Sequence, residues 1–263
     1  MGAGFERATI VTNTQVTLIQ IDNYGPWTVT PEPRREVDLQ TLQSRLYADL
    51  SQFIGNLDGY VFFTRFDNMI AVTNGIGHES HERLQESIRN RYPVTISLST
   101  ATGTTPVHAL IDATEGLQRA GSAQDQTRRE ILLTRTVERE HSTDRDVQIA
   151  HFDVNDATGT YTDQLNAFDT FIQIEQGYAE LMRYMRETHD SLSFFVGGDN
   201  IIAVCPDLDH GAYEDVIAHV SEAAGVALKV GVGRGHTAQP AGMAAKHALE
   251  VCRANGTRVE FDD

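Results

Sequence analysis

Apolar positions along the chain alternate between strand-like and helix-like periods, and the order of those periods occurs twice. Val16 to Asp22 (VTLIQID) and Val147 to Asp153 (VQIAHFD) are extended apolar segments, each ending in an acid. FFTRFDNMIAVTNG (Phe62 to Gly75) and FFVGGDNIIAVCPD (Phe194 to Asp207) each predict two short strands joined at an Asp-Asn turn. Between first strand and hairpin, Leu39, Leu42, Leu46, Leu50 and Phe53 recur at helical spacing. Phe168, Phe171, Tyr178, Leu181 and Met185 mark the matching helix, with Met182 and Met185 assigned to the core. Leu84 with Ile88, and Val216 with Val220, predict a second helix in each half. Strands over Val94 to Thr102 and Val226 to Arg234 follow. Each half then closes on a helix, TTPVHALIDATEGLQRAG or TAQPAGMAAKHALEVCRANG.

The two halves keep register. Asp22 and Asp67 are 45 residues apart and Asp153 and Asp199 are 46 apart, so the halves are offset by 131 or 132 residues. That constancy predicts an internal duplication. The fold expected is α+β, two tandem ferredoxin-like β-α-β-β-α-β units. Residues 1–15 read as an N-terminal extension, 16–121 as the first unit and 147–263 as the second. Residues 122–146 read as a charged linker, partly helical around Arg128 to Arg139. In this topology the third strand lies antiparallel beside the first. Asp22 is therefore expected beside Asp67, and Asp153 beside Asp199. Adjacent carboxylates repel unless a cation lies between them, and hard oxygen ligands favour Mg²⁺.

Charge narrows the partners. Asp and Glu number 37 against 21 Lys and Arg, a net of -16, and the only lysines are Lys229 and Lys246. That balance argues against nucleic-acid binding, which needs a basic face, and suits a halophilic, high-salt interior. The longest apolar run, Ile201 to Cys205, is too short to span a bilayer, and MGAGFERATIVTNTQ lacks a signal-peptide layout. A cytoplasmic protein without membrane contact is expected. Cys205 and Cys252 form no Cys-x-x-Cys, and His78 and His81 read as a solvated helix start, so no zinc is expected. Gly231-Val-Gly-Arg-Gly235 lacks the Gly-x-Gly-x-x-Gly spacing and reads as a strand end. Trp27 reads as packing a turn.

The carboxylate arrangement resembles the palm domains of polymerases, class III nucleotidyl cyclases and GGDEF diguanylate cyclases, and Gly197-Gly198-Asp199-Asn200 is similar to the start of the GGDEF signature. Asn200 departs from it where the second acid would stand. A longer resemblance, from about Thr14 to Phe261, rests on QIDNYGPWTVTPEPRRE, LQSRLYADL, TRFDN, QESIRNRYP, GSAQD and FVGGDN. These look like archaeal GTP cyclohydrolase III, a tandem palm family. The resemblance implies GTP as substrate, opening of the guanine imidazole ring with the formyl group retained, and release of two phosphates. The product implied is 2-amino-5-formylamino-6-ribosylaminopyrimidinone 5'-monophosphate, which feeds riboflavin and F420 biosynthesis. It also implies two Mg²⁺, a monovalent cation such as K⁺, and a homo-oligomer, dimer or tetramer. Two alternatives stay open: a palm-fold nucleotidyl cyclase and a non-catalytic GTP-binding sensor.

Cations select between the halves. Arg34, Arg35 and Arg65 lie near the first acid pair, whereas residues 146–182 hold no Lys or Arg. The triphosphate is therefore expected on the first half. Asp22 and Asp67 are the expected catalytic residues, and Asp22, Asn23 and Asp67 the expected metal ligands. Tyr24, Gly25, Arg34, Arg35, Arg65 and Asn68 are expected to bind substrate, with Asn23 to Gly25 as a phosphate-facing turn. Asp153 and Asp199 are their expected second-repeat equivalents.

Overall fold

The computed structural model describes residues 13–135 and 146–262. The first half runs β1 (Thr14–Ile21), a short α1 (Tyr24–Val29), α2 (Glu36–Gly55), β2 (Tyr60–Phe63), β3 (Asn68–Val72), α3 (His78–Arg91), β4 (Ile96–Gly103), α4 (Pro106–Arg119) and β5 (Leu132–Arg135). The second runs β6 (Val147–Val154), a π-helical turn (Thr158–Thr162), α5 (Ala167–His189), β7 (Leu192–Gly197), β8 (Asn200–Cys205), α6 (His210–Ala224), β9 (Leu228–Gly235), α7 (Ala238–Asn255) and β10 (Val259–Asp262). The sheets are ordered β2-β3-β1-β4-β5 and β10-β9-β6-β8-β7, the same topology read from opposite edges. The expected α+β duplication is therefore present. Inside residues 122–146 the chain makes strand β5 over 132–135, parallel to β4, where a helix was expected. Arg128 lies in the loop before it, and 136–145 fall outside the described residues. The reason is an open sheet edge: β5 covers β4 as β10 covers β9.

One register differs from the expectation. Gln20 pairs with Asn68 and Ser97, whereas Asp153 pairs with Asn200 and Lys229. With β3 and β4 matched to β8 and β9 at an offset of 132, β1 matches β6 at 133. Asp153 thus occupies the position of Gln20, and Asp22 that of Asn155. Both backbone bonds agree, Asp22 N–H to Thr95 O and Asn155 N–H to Ala227 O. A two-residue slip keeps every side chain on its face, so the apolar pattern is blind to it.

The halves meet about a pseudo-twofold. Phe62 stacks on Phe194, its counterpart, at 4.2 Å and 2°. Val107 N–H donates to Asp190 O and Gln239 N–H to Asp58 O, one bond and its mirror across the axis. A shared core gathers Leu18, Phe62, Ile70, Val107, Ile149 and Ala245. At Gly231 and Gly233 α7 lies so close that a Cβ would come within 2.2 Å and 2.3 Å of its backbone, which explains that glycine run as packing. Two burial expectations change. His81 is buried, bonded to Thr17 Oγ1 (2.9 Å) and Gly77 O (2.9 Å), and is no solvated helix start. Met185 is buried in the α5 stripe of Ile174, Gly177 and Leu181, while Met182 lies at the margin of that stripe and is exposed.

Candidate active site

At the end of β1 the backbone turns sharply. Asn23 takes a left-handed conformation (φ 51°) and caps α1. Ile21 N–H donates to Asp67 O at 2.9 Å, so the β2–β3 turn does sit beside the β1 end, as the topology requires. The side chains then part. Asp22 turns inward: Ser97 Oγ (2.6 Å), Thr95 Oγ1 (2.8 Å) and Glu130 N–H (2.9 Å) donate to its carboxylate, and the Arg128 guanidinium stands 3.5 Å away. The side chains of Asp22 and Arg128 are 1% and 3% exposed. The expected metal ligand Asp22 is therefore closed. A cation could reach it only by displacing one of these donors, which tie the loop before β5 to the sheet.

On Asn23, Asp67 and Arg128 polar atoms are buried without a hydrogen-bond partner. They are Asn23 Oδ1, Asp67 Oδ1 and all three guanidinium nitrogens of Arg128. Native interiors rarely tolerate such groups. Two acceptor oxygens call for a cation, while the desolvated Arg128 guanidinium has its anion in Asp22. Burial pulls the Arg128 pKa down, and Asp22 opposes that shift. Mg²⁺ commonly takes one or two carboxylates and completes its octahedron with water and substrate phosphates. Asp67 and Asn23 fit that donor set. Among the described residues no group of three or more His, Cys, Asp and Glu gathers.

Other expected substrate contacts are engaged locally. Arg65 pairs with Asp67 Oδ2 at 2.7 Å and remains 78% exposed at its side chain. Arg34 lies 3.9 Å over the Trp27 ring and donates to Trp27 O, so Trp27 packs a turn, stacked also on Tyr24. Arg35 holds Asp38 through two bonds, 2.8 Å and 2.9 Å. The Tyr24 hydroxyl accepts from Gln43, and burial raises its pKa. Asn23 N–H is already given to Ala123 O (2.6 Å), so this turn does not present it to a phosphate. Gly25 is exposed, with Gln124 beside it. Asn68 Oδ1 accepts from Gln20 Nε2 at 3.0 Å.

The second half gathers a different cluster. Asp153 accepts from Arg253 (2.8 Å) and pairs with Lys229 (3.2 Å). Burial and the neighbouring Asp153 charge raise the Asp199 pKa. His151 binds Asn200 Oδ1 at 3.0 Å and feels Lys246 and Arg253. The second acid pair is thus coupled and lies among cations from β9 and α7. These cations lie beyond residues 146–182, the stretch of the second half that holds no Lys or Arg. Their one signal was scarcity, since both of the chain's lysines are here.

The family model for GTP cyclohydrolase III matches residues 16–261. GTP cyclohydrolase III from Natronomonas pharaonis is 71% identical over 251 residues, covering 95% of this chain and 99% of that one. The protein of the same name from Methanocaldococcus jannaschii is 49% identical, covering 91% and 88%. Among solved structures, the GGDEF domain of DgcB from Caulobacter crescentus in complex with c-di-GMP is 12% identical, with a TM-score of 0.38 over 44% of this chain and 78% of that one. By its sequence along nearly its whole length, the chain belongs to the GTP cyclohydrolase III family.

Proposed function

We propose that the protein hydrolyses GTP to 2-amino-5-formylamino-6-ribosylaminopyrimidinone 5'-monophosphate and two phosphates, with Mg²⁺ and a monovalent cation such as K⁺. Family membership and the relatives' names support the substrate. The observation that carries the site is at the β1 end, where Asn23 Oδ1 and Asp67 Oδ1 are buried without a hydrogen-bond partner while Asp22 holds Arg128 at 3.5 Å. When bound there, Mg²⁺ would polarise a phosphoryl oxygen and lower the pKa of an attacking water. Asp67 and Asn23 would hold it, and Asp22 keeps Arg128 in place. Arg65, next to Asp67 and exposed, is positioned to swing onto the polyphosphate.

One observation favours a second reading of the site. Asp153 and Asp199 are charge-coupled and flanked by Lys229 and Arg253, a combination that also suits a metal and a polyphosphate. Incubating GTP with Mg²⁺ and K⁺ tests the reaction. A shifted ultraviolet chromophore with two phosphates supports the cyclohydrolase. Pyrophosphate with an intact purine would mean a cyclase, and no change a sensor. Asp67→Asn and Asp199→Asn then test the site, since the one that abolishes turnover in a folded protein marks it. A homo-oligomer belongs to the same proposal, supported by the exposed Phe168 (69%) and Phe171 (49%) on α5. Phe168→Asp should lower the mass measured by light scattering; an unchanged mass removes this face from the contact.

A further inference from the structure

We propose that Gln239 is a positioning residue: it seats helix α7 of the second half on the α2–β2 loop of the first, and so fixes where α7 delivers Lys246 and Arg253 beside Asp153 and Asp199. Gln239 N–H donates to Asp58 O at 3.0 Å, and its Nε2 donates to Gly55 O at 3.0 Å and lies 3.5 Å from Gly59 O. One turn on, Gly242 lies against the Tyr60 ring, where an added Cβ would stand 2.2 Å from the hydroxyl. The loop that receives α7 is itself fixed. Asp58 is left-handed (φ 60°), and a Cβ on Gly59 would meet Ile54 at 2.5 Å and the Val72 carbonyl at 2.7 Å.

Helical geometry turns this seat into a lever. Seven residues of α-helix make two turns with about 20° of drift, so Gln239, Lys246 and Arg253, spaced by sevens, share one face of α7. Arg253 lies about 21 Å along the axis from Gln239, at about 1.5 Å per residue. At that far end Arg253 donates to Asp153 at 2.8 Å, and Asp153 pairs also with Lys229 at 3.2 Å. Burial lowers the His151 pKa, and the Lys246 and Arg253 charges add to that shift, so both cations act on the cluster. A small rotation of α7 at its seat would carry the two away together.

The other half supplies the comparison. Helix α4 is the counterpart of α7 at an offset of 132, with Thr105 and Thr237 at the two N-caps and Val107 where Gln239 stands. Val107 keeps the backbone bond, its N–H donating to Asp190 O at 3.2 Å, and has no side-chain amide to add. Helix α4 also stops at Arg119, and Thr114 and Gly121 occupy the places of Lys246 and Arg253. The helix that carries the cations is the one with the side-chain clamp, whereas a clamp that only joined the halves would serve either helix equally. This inference rests on the second reading of the site, with the polyphosphate at Asp153 and Asp199.

The test is a mutant cycle read on binding of inorganic triphosphate by calorimetry and on KM and kcat for GTP, with urea midpoints alongside. Arg253→Ala is expected to weaken triphosphate binding about tenfold or more. Gln239→Ala should weaken it about threefold to tenfold and raise KM for GTP, with kcat within about twofold. Sites this far apart with no shared partner add in full unless one acts through the other. In an Arg253→Ala/Lys246→Ala background, Gln239→Ala should therefore change the affinity by less than about twofold. Gly242→Ala, which pushes α7 off Tyr60, should repeat the Gln239→Ala pattern and serves if that variant fails to fold. Val107→Ala should lower the urea midpoint and leave triphosphate affinity unchanged, since α4 delivers no cation. Losses that add in full across the cycle, or a Gln239→Ala affinity equal to the wild type, would overturn the positioning role while leaving the second reading standing. Arg253→Ala with unaltered triphosphate binding and KM would overturn that reading and this inference with it.

Discussion

Asp22 and Asp67 look alike in sequence and differ in kind once folded. Asp22 is an anchor, so Asp22→Asn leaves the buried Arg128 without its counter-charge and should cost about 3 kcal/mol or more of stability. Asp67 is partly exposed, with one oxygen unsatisfied. Asp67→Asn should leave the melting temperature nearly unchanged and lower kcat by about 10²-fold. Denaturant titration beside steady-state kinetics checks both. If Asp22→Asn proves as stable as the wild type, the anchor reading fails. A second residue-scale effect follows from His81 and His151, whose pKa values burial lowers below the ordinary 6.5. The unfolded chain then binds protons that the folded one refuses. Stability is complete above about pH 6.5 and falls as the pH drops through the range below it. Urea midpoints at pH 7.5 and pH 5.5 should show the decrease, and His81→Gln should reduce it.

The elements around the site are set by close approach as much as by propensity. Helix α7 rests on β9 through Gly231 and Gly233, where an added Cβ meets backbone atoms that cannot rotate away. Gly233→Ala should therefore destabilise the fold by about 1–3 kcal/mol. Since α7 carries Arg253, it should also loosen the ion pair of that residue with Asp153. A melting temperature equal to the wild type would contradict the close packing. Strand β5 shows the opposite case. Leu132 to Arg135 is a short, half-exposed segment whose own pattern is weak, and it becomes a strand because β4 offers an unpaired edge.

Across the whole molecule, the duplication builds an interface that neither half possesses alone. Phe62 and Phe194 sit on the axis, and each truncation to Ala should cost about 3 kcal/mol or more. Their double-mutant cycle should return a coupling of about 0.5–1.5 kcal/mol, read from urea unfolding. A coupling near zero would mean that the stack contributes area but no pairwise term.

The order of elements, the duplication and the family were legible in the chain, because alternation, helical spacing and turn residues are local signals and repeat at a constant offset. Placing Asp67 beside the end of β1 was also within reach, since the topology allows one neighbour there. The sequence could not show that β1 and β6 differ by a two-residue slip, because such a slip leaves the apolar pattern untouched. Nor could it show that Arg128 reaches back to Asp22 across 106 positions, or that Lys229 and Arg253 converge on Asp153. Those pairings are between residues distant in the chain, and they exist only after the sheet has formed and the last helix of each half has docked. The sequence alone therefore determined which side chains are available for chemistry, and the tertiary structure decided which of them are neutralised, which are sealed and which are left with an unsatisfied bond.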